Sequence, residues 1–189
     1  MAVAEQQKQF IIMKKISFCM LCLMALTINA QNVPVGYVDL GLPSGTLWKE
    51  SNEEWSDTPG SNAYYDMMDD LKFDGGYIPT RKQWEELKTC CTWRWNGTGC
   101  VVKGTNGRSI VLPAAGYVDN LIGYLLLGDK PKAVGLFGAY WSSTASPNKI
   151  MNEDAVYSFV FFEQSGSIIL QLSPRRISEN YSIRLVRGK

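Results

Sequence analysis

The chain has 189 residues, with 19 Lys and Arg against 18 Asp and Glu, a formal charge of +1 and 46% apolar residues. That balance, with no basic stripe, argues against a nucleic-acid binder, which needs clustered Lys and Arg to neutralise phosphates. Histidine is absent, which excludes Ser-His-Asp and Cys-His catalysis and any His-ligated zinc.

Lys14 and Lys15, the apolar run Ile16 to Leu26, and Thr27-Ile28-Asn29-Ala30 follow the order of a secretory signal peptide, with cleavage expected after Ala30. Met13 directly precedes the two lysines, so residues 1–12 read as an upstream extension; the alternative is a true start at Met1 and a long n-region. The run is shorter than the roughly 20 residues that span a bilayer, so no membrane span is expected after processing. Cys19 and Cys22 follow Phe18 and Leu21 rather than the small residues that precede a lipid-modified cysteine. The segment 31–189 is the length of a single domain with a substantial core. Removing Lys8, Lys14, Lys15 and Glu5 from the 19 basic and 18 acidic residues leaves it with a formal charge of −1.

Tyr37 to Leu40 and Thr46 to Trp48 read as short strands joined by the turn Pro43-Ser44-Gly45, and Glu50 to Gly60 as a loop. Tyr64, Met67, Met68 and Leu71 recur at helical spacing, with Asp66, Asp69 and Asp70 on the other face, so Asn62 to Phe73 is expected to be a first helix. Acids on one helix lack the loop geometry of a calcium site and read as a solvated face. The second helix has the clearer start: Thr80 caps it and Gln83 stands three residues on, with Trp84, Leu87 and Cys91 on the buried side and an end near Thr89.

Thr92 to Trp95 and Cys100 to Lys103 flank Asn96-Gly97-Thr98-Gly99 and read as a hairpin; a further turn at Asn106-Gly107 leads into a strand at Ser109 to Leu112. Trp93 and Trp95 alternate with polar residues and are expected in the core. A four-residue turn puts Trp95 opposite Cys100 and Cys91 opposite Gly104. That separates Cys91 from Cys100 by about 13 Å along the strands, too far for a disulfide. Gly116 to Leu136 is expected to be mostly loop, with a short strand at Tyr124 to Leu127. Tyr140-Trp141 followed by Ser142-Ser143-Thr144 marks a core strand giving way to a polar loop that continues from Ala145 to Glu153. Ala155 to Glu163 carries bulk on both faces and should be a central strand; Ile168 to Leu172 returns, Ser173 to Asn180 forms the last loop, and Tyr181 to Arg187 closes as a strand.

Five pieces in order, Tyr37 to Trp48, Pro79-Thr80 with Trp84-Glu85-Glu86-Leu87, Leu112 to Tyr117, Gly138 to Thr144 and Ser182 to Val186, resemble the secreted Fib-succ-major type of domain common in gut Bacteroidetes. The resemblance implies an α+β, C-type-lectin-like fold: two helices near the start, a small twisted, mostly antiparallel sheet, and long loops over one end. It also implies a distant relation to formylglycine-generating enzymes. Those enzymes carry reactive cysteines in their C-terminal part, and here no cysteine follows Cys100. Calcium-dependent lectins place a Glu-Pro-Asn type motif before their Trp; here Ser146-Pro147-Asn148 follows Trp141, and Pro147-Asn148 reads as a turn.

The organisation expected is therefore an upstream extension and signal peptide at residues 1–30 and one domain at 31–189. The function expected is exported, non-catalytic binding of a glycan, peptide or surface protein, in the periplasm, on the cell surface or outside the cell, with no cofactor and no metal. Candidate contacts are Ser143, Asn148, Asn152, Arg175, Arg176, Asn180 and Tyr181, in the loops adjoining the Trp141 strand and the last strand. Two alternatives are an enzyme using an acidic pair such as Glu153 and Asp154, and an accessory module of an exported assembly. N-terminal sequencing of the protein secreted from a Bacteroidetes host should begin at Gln31; a chain retaining residues 1–30 would contradict the signal-peptide reading.

Overall fold

Period-two alternation in the apolar runs is expressed as nine strands among the described residues, which in the computed structural model are 33–54, 63–67, 71–119 and 130–189. In chain order these are β1 (Tyr37–Asp39), β2 (Leu47–Lys49), the helix α1 (Arg81–Cys90), β3 (Thr92–Trp95), β4 (Gly99–Lys103), β5 (Ser109–Pro113), β6 (Phe137–Ala145), β7 (Ala155–Gln164), β8 (Ser167–Arg176) and β9 (Val186–Arg187). They form three three-stranded antiparallel sheets, β1-β2-β9, β3-β4-β5 and β6-β7-β8, within the unit Val33–Lys189.

The two-helix, C-type-lectin-like α+β architecture expected from the sequence is not what forms. The described residues are mostly β and contain one short helix. Where the first helix was expected, Tyr65 pairs with Tyr181 through backbone bonds of 2.9 and 3.0 Å, and Met67 donates to the Ile177 carbonyl at 2.7 Å. Tyr64 is buried, with its hydroxyl donating to the Ala115 carbonyl. A distant segment of the same chain satisfies this backbone, so tertiary pairing outweighs the local helical spacing of the apolar residues. Two further boundaries move. Ser173 to Arg176 extends β8 instead of opening a loop, and only Val186–Arg187 of the final expected strand is regular, with isolated bridges at Tyr181 and Ser182. Residues 1–32 and the expected strand at Tyr124 to Leu127 lie outside the described residues.

α1 starts as expected. The Thr80 hydroxyl accepts from the Gln83 amide at 3.3 Å while the Gln83 side chain accepts from the Thr80 amide at 2.8 Å, a complete capping box. Trp84 and Leu87 are fully buried, and the Trp84 ring stacks on Phe159 with centroids 4.7 Å apart and planes 3° from parallel. Burying two such side chains stabilises the helix contact by about 3–6 kcal/mol. The helix is also tied to the β1–β2 turn, because Glu86 accepts from the Ser44 amide at 2.8 Å and from the Ser44 hydroxyl at 2.5 Å.

β7 is central, as its two bulky faces demand. Phe159 and Phe161 face a core shared with Trp48, Trp84, Cys100, Leu112 and Tyr140, against which Trp93 and Trp95 pack; Val160 faces a second cluster with Trp141, Tyr181, Ile183 and Leu185. Gly138 lies opposite Phe161, and a side chain there would meet the Phe161 ring at 2.3 Å, which accounts for the glycine ahead of Tyr140-Trp141.

Arg184 joins the sheets from within. It is fully buried, yet Nε donates to Asn52 Oδ1 at 2.9 Å, Nη1 to the Lys49 carbonyl at 2.8 Å and Nη2 to the Val111 carbonyl at 2.7 Å. Asn52 in turn donates to the Tyr140 hydroxyl at 3.1 Å, and that hydroxyl donates to the Pro113 carbonyl at 2.7 Å. Burial lowers the Arg184 pKa from its usual value and pushes the Tyr140 phenol up to about 12. Arg184→Leu would leave two carbonyls and an amide oxygen without their donor. The expected loss is about 3 kcal/mol, read as a lower urea midpoint; an unchanged midpoint would show the network to be dispensable.

Candidate functional site

Two loops meet where β7 begins and β8 ends. Ile150 and Glu153 exchange backbone bonds of 3.0 Å in both directions around Met151-Asn152, whose φ angles are 52° and 67°. Two positive φ angles between paired residues define a type I′ turn, a demand that Asn152 meets more easily than Met151 does. The chain leaving β8 then docks on this hairpin. Ile177 donates to the Asp154 carbonyl at 3.1 Å and the Ser178 amide to Glu153 Oε1 at 2.9 Å. Arg176 stands 3.9 Å from Glu153 and 3.5 Å from Glu179. Hydrogen bonds from Ser178 first, and then the Arg176 charge, hold the Glu153 carboxyl below its ordinary value, so it is ionised at neutral pH.

Beside this junction is a polar recess of about 490 Å³ lined by Tyr117, Val118, Asp119, Arg176, Ser178 and Glu179. Two stretches distant in sequence, 117–119 and 176–179, line it, and Lys132 backs the first. Tyr117 and Lys132 exchange backbone bonds of 3.1 and 2.9 Å, and Val118 donates to the Asn180 carbonyl at 3.2 Å. Asp119 is paired with Lys132, and Glu179 accepts from the Tyr181 hydroxyl. The lining thus combines a guanidinium, two carboxylates, a hydroxyl and an aromatic ring.

The residues selected from sequence divide among different places. Arg176 lines the recess from the last position of β8, and Arg175 lies beside it opposite Val156, with Nε buried and unpartnered. Asn180 is 3% exposed; its Nδ2 donates to the Ser178 carbonyl at 3.4 Å and its Oδ1 is buried without a partner. Tyr181 is buried against Trp141, centroids 4.7 Å apart, and braces Glu179 from behind. Burial, followed by the Glu179 contact, pushes its phenol far up. Asn148 and Asn152 are exposed on the loop after β6, with Asn148 held by the Ser146 hydroxyl at 3.2 Å in the turn that Pro147-Asn148 was expected to make.

Ser143 stands apart from these. It lines a different recess, of about 460 Å³, with Met67, Leu71, Lys72, Phe73, Gly76, Tyr77 and Ile78. Tyr117, Asp119, Ser178 and Glu179 were not foreseen. The only local signal was that Ser178 and Glu179 sit between Arg176 and Asn180; nothing in residues 117–119 points to a partner some sixty residues on.

The pair Glu153 and Asp154 does not converge, since Asp154 faces Lys149 at 2.9 Å while Glu153 faces Ser178. Cys90, Cys91 and Cys100 are free, and the hairpin register pairs Trp95 with Cys100 as expected. Burial pushes the Cys91 thiol up to about 11 and the Cys100 thiol up to about 12, which keeps both protonated and weakly nucleophilic. Among the described residues no group of three or more Cys, Asp or Glu could hold a metal ion, and no helix is long and apolar enough to cross a membrane.

No protein-family model, no curated protein and no solved structure, C-type lectins included, matches this chain.

Because the folded pKa of Glu153 is depressed, its contribution to stability is present above its unfolded value of 4.5 and is lost as pH falls through the folded value. Wild type should therefore exceed Glu153→Gln in urea midpoint at pH 7, and the gap should narrow below pH 4.5. A gap that is unchanged at about pH 3 would mean that the charge of Glu153 does not hold the loops together.

Proposed function

We propose that this chain is an exported, non-catalytic binding domain that recognises a hydroxyl-rich ligand, a glycan, at the recess where the loops around β7 and β8 meet. The observation that carries the reading is the lining of that recess. Arg176 donates, Asp119 and Glu179 accept, and Tyr117 adds an aromatic side chain, on two stretches held together by backbone bonds. Sugars present both donors and acceptors around apolar C–H faces, and such sites meet them with planar polar groups and an aromatic side chain. A volume of about 490 Å³ accommodates one or two sugar rings. The signal-like order of residues 14–30 and the resemblance to secreted Fib-succ-major domains support export to the periplasm, the cell surface or the medium.

Arg176→Ala, Glu179→Ala and Tyr117→Ala should each weaken binding to a glycan array by about tenfold or more, the loss expected from removing a polar anchor or a stacking ring. Ser143→Ala, in the other recess, should leave binding unchanged. Equal binding by all four variants would refute this site, and an array with no glycan bound by wild type would refute the ligand class.

A further inference from the structure

The long edge of the β6-β7-β8 sheet is open. β8 runs for ten residues and pairs with β7 from Ser167 to Arg176; on its other side the Arg176 carbonyl accepts from the Glu179 amide at 3.1 Å, and among the described residues Ser167 to Arg175 make no backbone hydrogen bond there. The remaining strands show how this chain otherwise treats its edges. The β5 carbonyls of Val111 and Pro113 are taken by Arg184 and Tyr140, β6 is bonded by Ser182, and Val186 of β9 is bonded by Tyr77. β1 is three residues long, and β3 is four, with the exposed Arg94 among them. Long uncovered edges recruit another strand unless charge, proline or a bulge blocks them. Between Ser167 and Ser173 there is neither charge nor proline, and the register with β7 is unbroken.

The ladder shows which residues face outward. Ile177 donates across to the Asp154 carbonyl, so the odd-numbered residues of β8 bond inward to β7 and the even ones point their N–H and C=O away. Pro174, which has no N–H to offer, falls on an outward position, as a proline in an edge strand must. The open stretch is therefore Ile168, Leu170 and Leu172, whose side chains are only partly covered by the core.

We propose that this edge pairs with β8 of a second copy of the chain, antiparallel about a two-fold axis at Leu170. The register then sets Ile168 opposite Leu172 of the second copy and Leu170 opposite itself, forming about six ladder hydrogen bonds and covering the half-buried aliphatic row. The ends are complementary in charge. The same register brings the cationic end of β8, Arg175 and Arg176, against the β7–β8 turn of the other copy, which carries Glu163 and no basic residue. Self-complementarity of this kind is what an isologous two-fold interface requires, and it selects a second copy over an unrelated peptide.

On the other face of the strand the register places Ile169 opposite Gln171 of the second copy. The test is sedimentation equilibrium of the secreted protein up to about 1 mM, with dimerisation of wild type expected in the micromolar range. Ile169→Glu with Gln171→Glu sets carboxylates directly opposite each other and should weaken the dimer at least about tenfold; Ile169→Glu with Gln171→Lys restores opposite charges and should dimerise as wild type does. Hydrogen exchange on wild type needs no variant: the Leu170 and Leu172 amides should slow as concentration rises. A monomeric wild type at about 1 mM, equal dimerisation of both double variants, or concentration-independent exchange at those amides would each overturn the proposal.

Discussion

A guanidinium buried and held by hydrogen bonds to two carbonyls and an amide is the constraint on which this fold rests. Arg184 is fully covered and its pKa is lowered by that burial, so it is tolerable only while carbonyls and an amide surround it. Those partners come from the end of β2, from β5 and from Asn52, and Asn52 passes the connection on to Tyr140 in β6. One side chain near the end of the chain therefore sets the relative placement of elements from all three sheets. Each partner is equally committed, because a buried carbonyl that loses its donor costs about 1–3 kcal/mol.

The motifs around the β1–β2 turn, the start of α1 and the end of β6 share this structural character. Ser44, Thr46, Gln83, Glu86 and Tyr77 form one hydrogen-bonded chain that clamps the β1–β2 turn to α1. Trp84 donates to the Trp141 carbonyl at 3.2 Å, and the amide of Arg81 donates to Thr144 at 2.9 Å, so the start of the helix and the end of β6 hold each other. Read in this way the motifs are scaffold, and the hydroxyls after Trp141 serve as caps and turn formers. The locked hairpin at Met151-Asn152 and the Ser178–Glu153 contact give the loops around β7 and β8 a defined shape.

Much of the local structure was legible in residues alone. Thr80 with Gln83 announced the capping box, Asn96 to Gly99 announced the hairpin and its register, and the double-faced bulk of Ala155 to Glu163 announced a central strand. Each depends on interactions within a few residues or on a side-chain period, which a sequence displays directly. Tyr64 to Leu71 misled for the same reason, since their helical spacing is real. What opposes it is a backbone bond to Tyr181, more than a hundred residues away.

Sequence by itself determined the strand periods, the start of the helix capped by Thr80, the turns, the absence of histidine chemistry and the list of polar loop residues. Tertiary structure alone decided which of those residues share a site: Arg176 joins Tyr117, Asp119 and Glu179, while Ser143 faces a different recess and Tyr181 turns inward to Trp141. It alone also decided which strand edges are covered and that Arg184 is buried. The division has a physical cause. Propensity and periodicity act over a few residues, whereas burial, the pairing of distant loops and the satisfaction of a buried charge depend on which segments meet in space.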